Sequence, residues 1–237
     1  SSPVVEAIPQ SLAQTPVSFP VALYEAYDDR VEAAFVVDMI RKLVAQEQMN
    51  PGGFAVMYRT NAQSRLLEEA FLQANLPYKL VGAQRFYGRK EIKDVIAYLR
   101  LAHNPSDELS LARVINMPPR GIGAKTYLLL RTQSQMQKLS PGQLLLQINQ
   151  GEYQDLLASA TSRARAALLG FAGQLKSWTV LKDELPPLGL MDRILDDTDL
   201  HSAVDDGTDD GRERWENVLE LRRLAGDYQE QGLEAFL

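Results

Sequence analysis

Short apolar runs alternate with longer amphipathic stretches from Val21 to Ala102, and the alternation stops at Asn104-Pro105-Ser106. The segments Val21 to Tyr27, Phe54 to Tyr58 and Tyr78 to Val81 read as strands. Residues 30–46, 61–74 and 90–102 read as helices, the first with Ala33, Val36, Val37, Ile40, Leu43 and Val44 along one face. The order β-α-β-α-β-α predicts a parallel sheet flanked by helices. Beyond the break no run has strand character. Ser140-Pro141 with Gln143 spells a helix start, and 162–181, 188–195 and 212–230 are further helix candidates, separated by Pro186-Pro187 and an Asp/Gly-rich run over 205–211. The fold class expected is therefore α/β, a partial parallel sheet with flanking helices, followed by an all-helical subdomain. Three strands are few for a sheet covered on both faces, so the sheet is expected to be incomplete. Three regions follow: an extended arm or linker over 1–20, marked by Pro3, Pro9, Pro16 and Pro20, a sheet domain over 21–105 and a helical domain over 106–237.

Charge is distributed unevenly. The chain carries −6 overall, yet between Arg85 and Arg131 nine basic residues face four acidic ones, while from Asp192 to Glu213 nine acidic residues face two arginines. A polyanion is expected to meet the first stretch and avoid the second. Without cysteine there is neither a disulfide nor a thiolate site, and His103 and His201 are far apart in sequence, so no metal site is expected. No membrane-spanning length and no signal pattern are visible, which fits a cytoplasmic protein.

Three stretches carry candidate chemistry. In Phe54 to Arg65 an apolar strand ends on Tyr58 and Arg59 and leads into a helix opened by Thr60 and Gln63; at such a strand end an aromatic ring can stack on a base and a guanidinium can reach a phosphate. The plain alternative is a packing tyrosine and a surface arginine in an ordinary ion pair. Gly121-Ile122-Gly123, followed by Ala124, Lys125 and Thr126 and flanked by Arg120, reads as a glycine turn whose amides can approach phosphate, or simply as a turn between packed helices. Arg85 to Asp94 sets Arg85, Arg89, Lys90 and Lys93 beside Phe86 and Tyr87, a mixture suited to single-stranded nucleic acid; the competing view is a solvated helix start with Phe86 in the core. Trp178 and Trp215 read as core residues. Gly123-Ala124-Lys125-Thr126 is not a phosphate-binding P-loop, and no GxxxxGK[ST] occurs anywhere in the chain. Asp28-Asp29 superficially suggests a magnesium-binding strand end, but Asp29 with Glu32 reads better as a helix start.

From Ala55 through Arg100, and on through Asn104 to Thr126, the sequence resembles the second motor domain of UvrD/PcrA/Rep-type superfamily 1 DNA helicases and the entry to the helical subdomain inserted in it. Residues 212–224, RERWENVLELRRL, are similar to a segment near that subdomain's far end, whereas the likeness over 127–211 is loose. The resemblance implies that residues 21–105 are the first half of a RecA-like motor domain (2A) and residues 106–237 the inserted subdomain (2B). It implies a middle piece of an ATP-dependent 3′ to 5′ helicase acting in repair or replication, with ATP and Mg²⁺ bound in the complete enzyme, not by this piece. The partners implied are single-stranded and duplex DNA and the missing first motor domain. Tyr58 would stack on adenine and Arg59 would reach the γ-phosphate from across a cleft. Arg85, Phe86, Arg89, Lys90 and Lys93 would lie along the single-strand track, and Arg120, Gly121, Ile122, Gly123, Lys125 and Thr126 would form a helix-hairpin-helix contact to duplex. Without a P-loop, the chain alone is expected neither to hydrolyse ATP nor to unwind DNA. Other readings are a non-enzymatic duplex-binding adaptor, a regulatory interaction module and the motor part of a helicase-nuclease.

Overall fold

The computed structural model describes residues 21–47, 49–81, 85–153, 155 and 160–237; the arm expected over 1–20 lies outside the described residues. The chain divides into two compact units between Phe86 and Tyr87.

In the first unit, α1 (Asp29–Glu47) packs on α2 (Ser64–Gln73). The helix start is set one residue earlier than predicted: the Asp28 carboxylate accepts from the Val31 amide at 2.8 Å, taking one of the donors that a helix leaves unpaired at its N-terminus. α1 buries Ala33, Val36, Val37 and Ile40, four of the six residues assigned to its apolar face. Tyr24 stacks on Phe35, with ring centroids 3.6 Å apart.

The expected parallel sheet is not formed. Among the described residues there is no strand. The segments at 54–58 and 76–80 have no regular secondary structure, yet burial alternates along them: Phe54, Val56 and Tyr58, and likewise Leu76, Tyr78 and Leu80, are half-buried, whereas Ala55, Met57, Pro77 and Lys79 are exposed. What is missing is the ladder. Extended, apolar character is a local property of the sequence, but a strand also needs a neighbouring backbone in register, and among the described residues neither segment has one. In the first predicted strand Val21 and Leu23 are more than four-fifths exposed.

The second unit consists of helices: α3 (Lys90–His103), α4 (Glu108–Val114), α5 (Ala124–Met136), α6 (Pro141–Asn149), α7 (Ser162–Leu181), α8 (Pro187–Thr198), α9 (Leu200–Val204), α10 (Asp209–Gly226) and α11 (Gly232–Phe236). α3 is the central element and touches α4, α7, α8, α10 and α11. Its Ile92, Val95, Tyr98, Leu99, Leu101 and Ala102 are buried, each large aliphatic side chain contributing roughly 1.5–3 kcal/mol. Thus α3, predicted with the sheet domain, packs among the helices. Trp178 is fully buried, meets Tyr98 edge-on and donates its indole N–H to Asp197 at 2.9 Å. Trp215 is only half-buried and faces the His201 ring. The start of α6 is as the sequence spells it: the Ser140 hydroxyl accepts from the Gln143 amide and the Gln143 side chain accepts from the Ser140 amide, with Pro141 at the first helical position. α6 also runs so close to the turn after α3 that a Cβ on Gly142 would collide with the Pro105 carbonyl. Buried polar groups are paired across α3 and α10: Arg89 donates to the Asn217 side-chain oxygen at 2.6 Å, and the Asn217 amide group donates to Glu91 at 2.8 Å.

Candidate functional site

Tyr58 and Arg59 stand where an extended run turns into a helix. The Gln63 side-chain oxygen folds back to accept from the amides of both Arg59 and Thr60, at 2.9 and 3.1 Å, and so fixes the backbone at the turn. Tyr58 is half-buried and lines a cleft of about 1100 Å³ together with Asn61, Phe71, Tyr78 and Leu80. Arg59 is exposed, and its guanidinium has no partner among the described residues. Beneath the turn, Glu68 on α2 is buried. Its two oxygens accept from the Ser64 hydroxyl, the Phe86 amide and the Tyr78 hydroxyl at 3.1–3.3 Å. Burial, with the Glu68 charge nearby, pushes the Tyr78 phenol above its ordinary value. A solvated guanidinium on a main chain held this way is suited to meet an anion presented by another body.

In the second unit the glycine turn joins α4 to α5. Asn116 organises it: one side-chain oxygen accepts from the Arg120 amide at 3.0 Å and from the Ile122 amide at 3.1 Å. Ile122 is buried and anchors the turn, while Gly121 has φ of +87°, a conformation suited to glycine. Gly123 precedes the first turn of α5 and offers no side-chain cap. Among the described residues the amides of Gly121, Gly123, Ala124, Lys125 and Thr126 have no acceptor. Two tied amides thus alternate with free ones, and the free set continues onto the helix end, whose dipole favours an anion. Gly121, Gly123 and Lys125 are exposed, and Thr126 is half-buried. Arg163, exposed at the start of α7, brings its Nε within 3.5 Å of the point where a Cβ on Gly121 would sit and has no partner among the described residues.

Arg120 takes a different place from the one its position beside the glycines predicts. Its guanidinium turns inward, donating to the Tyr98 hydroxyl at 2.5 Å and the Met117 carbonyl at 3.1 Å, and lies 4.9 Å from the centre of the Phe171 ring. Tyr98 donates in turn to the Met117 carbonyl. Burial pushes the Tyr98 phenol up to about 12 despite the opposing Arg120 charge, so it stays a donor. Carbonyls left over where α4 ends attract the guanidinium's multiple donors, and this outweighs the cation's usual preference for water.

The basic segment is divided as well. In the first unit Arg85 is exposed, 5.9 Å over the Tyr78 ring, and Phe86 is 1% exposed, so its ring is not open to stacking. In the second unit Arg89 is buried against Asn217, while Lys90 and Lys93 are exposed on the first turn of α3. Arg113 is committed to Asp94 at 2.6 Å; burial raises the Asp94 carboxyl above its ordinary value, against the pull of that arginine. Part of the acidic stretch is spent on capping and pairing, as where Asp206 accepts from Thr208 and meets Arg214. Among the described residues no group of three His, Cys, Asp or Glu side chains could hold a metal ion, and no helix is long and apolar enough to cross a membrane.

Sequence reasoning missed Asn116, Tyr98 and Arg163. Asn116-Met117-Pro118 carries a turn signal that could have found the first. Nothing local points to the other two.

The family of UvrD-like helicase C-terminal domains matches residues 9–234. The chain belongs to that family. The matched span includes 127–211, where the resemblance of individual motifs is loose. As a UvrD-like C-terminal domain, the chain is 32% identical over 222 residues to the ATP-dependent DNA helicase PcrA of Bacillus subtilis, covering 92% of this chain and 29% of that protein. It is 36% identical over 206 residues to DNA helicase II of Escherichia coli, covering 85% and 27% respectively. It is 34% identical over 211 residues to PcrA of Staphylococcus aureus, covering 87% and 27%. The chain spans less than a third of the length of the curated relatives it matches.

Proposed function

We propose that this UvrD-like domain supplies part of the second motor domain, over 21–105, and an inserted helical subdomain, over 106–237, to an ATP-dependent DNA helicase. Arg59 is the residue that reaches the γ-phosphate of ATP held with Mg²⁺ mainly by another motor domain, and Tyr58 faces the base. The observation that carries this reading is an exposed, unpartnered Arg59 on a backbone pinned by Gln63, in a chain whose relatives are named ATP-dependent DNA helicases. An arginine delivered across a cleft stabilises charge in the phosphoryl-transfer transition state when the cleft is shut, which couples turnover to closure. ATP supplies the bond that is broken; this chain's residues orient and stabilise.

The Gly121 to Thr126 hairpin is the duplex contact in this reading, gripping phosphate through free amides with charge from Lys125 and Arg163. Arg120 supports it from inside. Arg85, Lys90 and Lys93 remain the exposed cations for single-strand contact, with Phe86 and Arg89 holding structure behind them. The test is made in the complete enzyme: Arg59→Ala should lower ATP turnover by about 10³-fold or more while nucleotide and DNA affinities stay within a few-fold. A parallel loss of DNA affinity would refute the assignment.

A further inference from the structure

We infer that Asn116 is the positioning residue of the hairpin, the group that decides which amides face DNA. This rests on reading the hairpin as a phosphate contact. In an irregular turn every amide is a candidate donor, and nothing in Gly121-Ile122-Gly123 itself selects among them. Asn116 selects by position: its one oxygen takes the Arg120 and Ile122 amides, two residues apart, and draws them to the same side. The intervening Gly121 amide is left without an acceptor among the described residues, as are those of Gly123 and the first residues of α5. Only an oxygen can accept from two N–H groups, so the side chain's orientation follows from its partners. Asn116 is itself exposed, so its work is directional and not a matter of filling the core. Below it, Tyr98 and Arg120 tie the Met117 carbonyl to the interior, which fixes the base from which Asn116 reaches.

The experiment uses the 237-residue chain, fluorescently labelled blunt duplex and single-stranded oligonucleotides, and hydrogen exchange at individual amides. Asn116→Leu should expose the Arg120 and Ile122 amides to exchange and weaken duplex binding about tenfold, the scale of one to two lost hydrogen bonds. Single-strand affinity should stay within about twofold. Asn116→Asp keeps an acceptor of the same reach, so it should restore protection of both amides and, at salt high enough to screen the added charge, most of the duplex affinity. Lys125→Ala separates the two levels of the reading. Duplex loss in Lys125→Ala with none in Asn116→Leu overturns the positioning role alone. Unchanged duplex binding in both overturns the phosphate contact and the positioning role with it. Equal loss of duplex and single-strand affinity in Asn116→Leu also overturns it, since that is the mark of general unfolding.

Discussion

Gly142→Ala should destabilise the helical unit even though it replaces the poorer helix former by the best. On propensity alone the change gains about 0.5–1 kcal/mol. The new methyl, however, meets the carbonyl oxygen of Pro105, a backbone atom with no rotamer to yield, so α6 or the turn at 104–106 must move. Overpacking of this kind costs about 1–3 kcal/mol, and the larger part of that range applies where the obstacle is main chain. The net loss is about 1–2 kcal/mol, or about 2–8 °C in a chain of this size. Gly170→Ala on α7 is the matched control: nothing lies within 4 Å of its added Cβ, so the propensity gain should stand alone and raise stability by about 0.5–1 kcal/mol. Urea unfolding followed by tryptophan fluorescence reads the right body, because both tryptophans, Trp178 and Trp215, lie in the second unit. If the two variants shift the midpoint in the same direction, close approach to Pro105 is not what keeps position 142 a glycine.

Tyr98 ionises at about 12 when folded against an ordinary 10.0, so its contribution is complete below pH 10 and is lost as pH rises toward 12. The urea midpoint should therefore fall across that window, by an amount equivalent to roughly 2–3 kcal/mol, and Tyr98→Phe should flatten the slope; an unchanged slope in the variant would refute it. Asn217→Ala removes the acceptor of Arg89 and the donor to Glu91 from a buried site and should cost about 2–3 kcal/mol, measured by the same unfolding curve; a change under about 0.5 kcal/mol would show that the pairing is idle. Gly121→Ala forces a side chain into φ of +87° and should cost about 1 kcal/mol, with duplex affinity falling while single-strand affinity holds in a binding titration.

The contrast between Ser140 and Phe54 explains what the sequence could and could not disclose. The cap formed by Ser140, Pro141 and Gln143 is complete within four residues, so its letters suffice. Phe54 to Met57 reads as a continuous apolar run, yet only Phe54, Val56 and Tyr58 turn inward; a sheet needs a second backbone in register, and that partner is not written in the segment itself. The turn that follows Arg59 was legible because the Thr60 and Gln63 capping box is likewise complete within four residues. Arg89 and Arg120 were not, because a cation's default is water and the groups that turn these two inward, Asn217 and Tyr98, come from other helices. Arg163 belongs to the same class: its proximity to Gly121 arises from how α7 packs and from no motif.

The hairpin's unpaired donors are main-chain groups, the same whichever amino acid carries them. Side-chain identity at Ala124 or Thr126 can therefore drift over evolutionary time without altering what the surface offers, whereas a change at Asn116 or Gly121 would redraw it. If the hairpin does grip phosphate, the tightest constraint falls on Asn116, which sets the pattern of donors while offering none of its own backbone to it.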